Sequence, residues 1–118
     1  MDRVWLGMGS LVGLLAVGMA AATAHLVAGP AAAIAWRAVQ MQGWHALVLL
    51  VTGLWAPRGG LLAHLAGTLF VLGTVVFCGA VYAVALGGLH LGPLAPAGGT
   101  MLMLGWAVLG ISILRARA

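Results

Sequence analysis

From Val4 to Leu114 the chain holds only two charged side chains, Arg37 and Arg58. A soluble domain carries about 25% charged residues, whereas here the share is 5%, against 64% hydrophobic. So few groups that water solvates cannot coat a folded surface, so the medium this chain is written for is lipid. Soluble globular, disordered, coiled-coil and nucleic-acid-binding classes are excluded. The one acid is Asp2, and the five cationic residues are all arginines. A lone cysteine, Cys78, rules out an intrachain disulfide.

A bilayer core is about 30 Å thick, so a spanning helix needs about 20 apolar residues. The first expected span is 4–28, stopped by Gly29 and Pro30. Its basic start and its run of small residues around Ala20–Ala24 resemble a secretory signal, but the apolar run exceeds a signal core of about 7–15 residues. It is therefore read as a retained helix. The second span ends at Ala56, because Pro57, Arg58, Gly59 and Gly60 form a turn signal. Counted from Gly43 it would reach only about 21 Å at 1.5 Å per residue, so it must start near Trp36. The expected spans are thus 4–28, 36–56, 61–86 and 98–114, in one membrane domain covering 1–118. The fold class is all-α, a polytopic four-transmembrane-helix bundle.

Four crossings bring both termini to one side, with Arg3, Arg58, Arg115 and Arg117 there and Arg37 alone opposite. That bias predicts cytoplasmic termini. Trp5, Trp36, Trp44 and Trp55 fall near span ends, as an aromatic belt requires. Gly9 and Gly13 have the GxxxG spacing of a helix contact, either within the bundle or between copies.

Lipid offers no hydrogen bonds, so polar side chains inside a span should turn inward. On the third span His64, Thr68, Val71, Val75, Cys78 and Tyr82 recur at three- and four-residue steps, one stripe of a helix. That stripe is expected to face the interior, with Leu69, Leu72, Val76 and Ala80 meeting lipid or a neighbour. Gln42, His45, Leu49 and Thr52 make a matching row on the second span. Depth then groups His25, Gln42, His45, Cys78, Tyr82 and Thr100 into one polar cluster in the outer leaflet, with His64 apart at the other end. Gln42, His45 and Tyr82 are expected to bond one another. Pro96, Gly98 and Gly99 read as the turn that opens the last span.

These residues resemble the YgdD/YwdK family of small bacterial membrane proteins, a domain-of-unknown-function family with mitochondrial relatives. The matching stretches are Ala20–His25, Met41–His45, Leu72–Tyr82 and Ala95–Gly99, followed by Gly105 and Trp106. The chain departs from the family pattern at Met41 in place of Tyr, Cys78 in place of Ser and Ala95 in place of Thr, and its first motif lacks the usual glycines and phenylalanine. The resemblance implies a four-helix bacterial inner-membrane protein and carries no established activity.

Three functional classes compete with a purely structural role. A metal or haem site through His25 and His45 would suit imidazole ligands, yet no HxxxH or CxxC pair exists and no carboxylate accompanies them. Catalysis would need a nucleophile with an oriented base, and no acidic third partner is at hand for Cys78, so no enzyme activity and no cofactor are expected. A transporter or channel component would use the polar stripe as a path, but no charge lies mid-membrane and no inverted repeat is visible. The expectation is therefore a non-catalytic structural or accessory subunit. Its partners would be membrane lipids, other membrane proteins or a second copy of itself, with no nucleic acid.

Overall fold

The computed structural model describes residues 2–116 as helices joined by short links. Helix α1 covers Asp2–Leu26, α2 covers Pro30–Gly87 and α3 covers Leu94–Arg115. Each begins or ends for a local reason. Asp2 sits in the first turn of α1, where a negative charge complements the helix dipole. Pro30 occupies the first turn of α2, where its fixed φ suits a helix and its missing N–H breaks no bond. At the other end Gly88 is left-handed (φ 64°), its N–H donating to the Val84 carbonyl at 2.9 Å while Leu89 N–H donates to Ala83 at 3.1 Å. This closes the free carbonyls of the last turn.

The four expected spans become three helices, because the second and third are one hydrogen-bonded element. A straight 58-residue helix would measure about 87 Å at 1.5 Å per residue. The longest extent of the fold is 50 Å, so α2 must fold back. It does so at Gly60, whose φ of 63° and ψ of −146° are non-helical, three residues after Pro57. Pro57 removes a backbone donor and crowds the preceding turn, and Gly60 takes a conformation that side chains with a Cβ avoid. The expected loop at 57–60 is thereby reduced to a break at one residue.

Two other boundaries move. The first arm of α2 starts at Pro30 rather than near Trp36, because Pro30 followed by Ala31, Ala32 and Ala33 is a good helix start. Helix α3 starts at Leu94 rather than at residue 98, with Ala97 N–H donating to the Pro93 carbonyl at 3.0 Å. Pro96 is accommodated in the first turn, where its N–H would be free anyway. Pro96, Gly98 and Gly99 are therefore helical residues and not a turn.

Among the described residues α1 and α3 each pack on α2 and not on each other. The folded-back α2 is the spine, with one helix on either side. Its arms meet around Phe70, Leu49, Ala63 and Ala66, each fully buried, joined by Trp5, Val48, Ala56, Leu102 and Leu109. Lipid is as apolar as leucine, so helices associate by close packing rather than by hiding oil from water. Small residues supply that packing. A Cβ on Gly67 would lie 2.7 Å from the Trp5 ring, and one on Gly9 would lie 2.9 Å from the Ala46 carbonyl oxygen. The Gly9 contact of the GxxxG pair is therefore made within the chain.

The buried face of the second α2 arm is rotated from the expected stripe. Ala63, Ala66, Gly67, Phe70, Gly73, Thr74 and Cys78 are buried, whereas Val75 is 65% exposed and Thr68 is exposed. On the opposite face, expected to meet lipid or a neighbour, Ala80 is buried and Leu72 is exposed. The face chosen is the one with small residues, which lets α1 and α3 approach. Thr68 satisfies its hydroxyl on its own helix, at the His64 carbonyl (3.0 Å), so it needs no place inside.

Candidate functional site

Buried polar side chains form short relays that tie helices together. Gln42 and His45, a turn apart on the first arm of α2, are 7% and 3% exposed. Gln42 donates through Nε2 to the Val12 carbonyl of α1 at 3.1 Å. Its Oε1 accepts the Tyr82 hydroxyl from the second arm at 2.7 Å. One amide thus joins three helical segments.

His45 makes a second relay. Its Nε2 accepts the indole N–H of Trp106 on α3 at 3.1 Å. An acceptor Nε2 in a neutral ring requires the proton on Nδ1, which then donates to the Met41 carbonyl at 2.6 Å. Both ring nitrogens are occupied. Phe70 and Trp106 enclose the ring, with centroids 5.8 Å and 6.0 Å from it. Phe70 and Trp106 meet edge to face at 5.4 Å, a favoured aromatic geometry.

Cys78 is buried, and its thiol donates to the Ala38 carbonyl at 3.5 Å, a contact between the two arms. The other expected cluster members lie elsewhere. His25 is exposed near the end of α1. Thr100 is exposed, its hydroxyl donating to the Pro96 carbonyl of its own helix at 2.9 Å. Gln42, Tyr82 and Cys78 are brought together with the buried helix crossings, while His45 bonds to Trp106 and Met41 rather than to Gln42 or Tyr82. Gly98 is buried against the backbone of Phe77, and Gly99 is half-buried beside the same side chain.

Sequence reasoning missed the tryptophans. Trp5, expected in an interfacial belt, is 7% exposed, and its indole N–H donates to His64 Nδ1 at 2.9 Å. Trp55 donates to the Ser112 hydroxyl at 3.0 Å, which in turn donates to the Leu109 carbonyl at 2.7 Å. Trp106 completes the set. The signal was available in the chemistry: an indole has one donor and no acceptor, so a Trp taken out of the interface must find a partner. Two hydroxyls, Thr23 and Thr74, are buried with no hydrogen-bond partner among the described residues. Also among the described residues, no three His, Cys, Asp or Glu side chains converge as metal ligands would.

Three helices long and apolar enough to cross a bilayer, with internal polar groups cross-linking them, define a polytopic helical membrane protein. Residues 19–99 match the family model described as "Protein of unknown function (DUF423)", and the chain belongs to that family. It is 35% identical to a UPF0382 membrane protein of Staphylococcus epidermidis, over 96% of this chain and 97% of the relative. It is 31% identical to one from Staphylococcus haemolyticus, over 93% and 94%, and 29% identical to one from Staphylococcus aureus over the same shares. No solved structure matches. An unknown-function membrane family accords with the resemblance carried by the sequence motifs.

Proposed function

We propose that the chain crosses a bacterial inner membrane four times, with both termini in the cytoplasm, as a non-catalytic accessory or structural subunit. It acts by binding other membrane proteins or a second copy of itself. Four crossings are supported by the break at Gly60. The arms of α2 on either side of it are each about 40–45 Å long at 1.5 Å per residue, more than a bilayer core requires. The orientation is supported by the arginines. Arg3 opens α1, Arg58 adjoins the α2 break and Arg115 ends α3. The Trp55–Ser112 bond draws the last two of those ends together. The positive-inside bias places such an end in the cytoplasm.

One observation carries the binding role: apart from a few threonine hydroxyls, the amide, imidazole, phenol and indole groups of the interior are spent on joining helices. Gln42, His45, Tyr82, Trp5, Trp55 and Trp106 each bond to a residue on another helix or on the opposite arm of α2. A ligand site needs a group with unspent valence, and His45 has none on either nitrogen. Its expected partner in a metal or haem site, His25, is exposed near the end of α1. A transport path between the arms is blocked by Phe70, Leu49, Ala63 and Ala66, which fill that space.

Purification from the native membrane in mild detergent is expected to yield the chain with a stoichiometric membrane-protein partner or as a homo-oligomer; a lone stable monomer would overturn the proposal. A C-terminal fusion to a phosphatase active only outside the cytoplasm is expected to be inactive. Strong activity would reverse the orientation.

A further inference from the structure

One end of the bundle carries a feature that the interior pairing does not use. Where the start of α2, the end of α2 and the 88–93 loop converge, an open cleft of about 530 Å³ is lined by Ile34, Phe77, Val81 and Val84, with Arg37 and His90 contributing the polar groups. A second groove of about 420 Å³, lined by Gln40, Met41 and Trp44, also borders Arg37. Two mainly apolar grooves therefore share one guanidinium.

Among the described residues no carboxylate side chain lies near Arg37. The chain's one acid is Asp2, whose backbone lies beside Gly53. Gly53 is about 24 Å along α2 from Arg37 at 1.5 Å per residue. An arginine near the end of a membrane helix, bordering two apolar channels, presents a charge to whatever anion the membrane supplies. Its fork geometry suits phosphate, the group that a phospholipid headgroup presents at that depth.

We propose that these grooves seat one diacyl anionic phospholipid. Its phosphate lies against Arg37 and His90, and its two acyl chains run along the two grooves. One cation shared by two grooves matches one phosphate shared by two chains. The site goes beyond the accessory reading and is independent of it, because a chain with no protein partner still presents both grooves.

The test is lipid retention. Purified full-length protein is reconstituted in vesicles of equal phosphatidylglycerol and phosphatidylcholine and re-extracted, and its bound lipid is counted by native mass spectrometry. Phosphatidylglycerol is expected to be enriched. Arg37→Gln should lower the enrichment about fivefold, the factor expected for one interfacial cation acting on an anionic headgroup, and Arg37→Lys should retain most of it. Val81→Trp, which fills the larger groove, should reduce the number of lipids held. Arg58→Gln, at the other end of the bundle, should change nothing. Should Arg37→Gln fail to fold, Arg37→Lys and Val81→Trp carry the comparison. Equal retention of the two lipids, or an equal loss in Arg58→Gln, overturns the proposal. Displacement by inorganic phosphate would reassign the site to a free anion and overturns it too.

Discussion

Gly98→Ala is expected to lose about 1–3 kcal/mol of stability, the cost of forcing a methyl group into a filled space, and Gly98→Val more. A Cβ at this position would run into the backbone of Phe77, with the Phe77 Cα only 2.8 Å away. Backbone cannot rotate aside as a side chain can, so α3 must move off α2. In a membrane that movement is costly because close packing is a main force holding helices together. The displacement would also pull Trp106 from His45, since that bond spans the same helix pair. Unfolding of the detergent-solubilised protein by heat or by added SDS measures the loss. Gly79→Ala is the matched control, because a Cβ there meets nothing within 4 Å. Equal stabilities for the two variants would contradict the α2–α3 contact described above.

Gly60→Ala is expected to be destabilising by a similar amount, about 1–3 kcal/mol, for a different reason. A Cβ at Gly60 meets nothing within 4 Å, so no clash is involved. The penalty comes from φ 63° with ψ −146°, a region that is essentially reserved for glycine. The two arms of α2 can remain packed only if that residue keeps its unusual backbone. A lowered unfolding midpoint, together with new protease cleavage near residues 57–60, would report the strain. An unchanged midpoint would mean that α2 turns elsewhere, and the support for four crossings would go with it. The pair of substitutions separates crowding from backbone strain, since each position exhibits one and lacks the other.

The membrane class was legible from hydropathy and charge, because nothing in the tertiary arrangement alters how poorly this composition dissolves in water. The ends of the first and last helices came within a few residues, as Gly29, Pro30 and Arg115 act locally. The α2 break was visible as the Pro57–Gly60 signal, though not its sharpness. A turn motif states that the chain reverses and leaves open how many residues the reversal needs. The Gln42–Tyr82 bond followed from depth and polarity. The grouping of His25 and Thr100 with them did not hold, because equal depth does not bring side chains to the same face.

What hydropathy alone could establish was that the chain is oily, helical and folded back on itself, since those properties follow from transfer energies and local backbone preferences summed along the chain. Which face of each helix turns inward could be read only after folding. In lipid every face is apolar enough, so the choice falls to shape: glycines and alanines admit Trp5, Phe70 and Leu102, and those contacts exist only once distant segments meet. The partners of the three indole bonds lie 57 to 61 residues away in sequence, and no local pattern encodes such a distance.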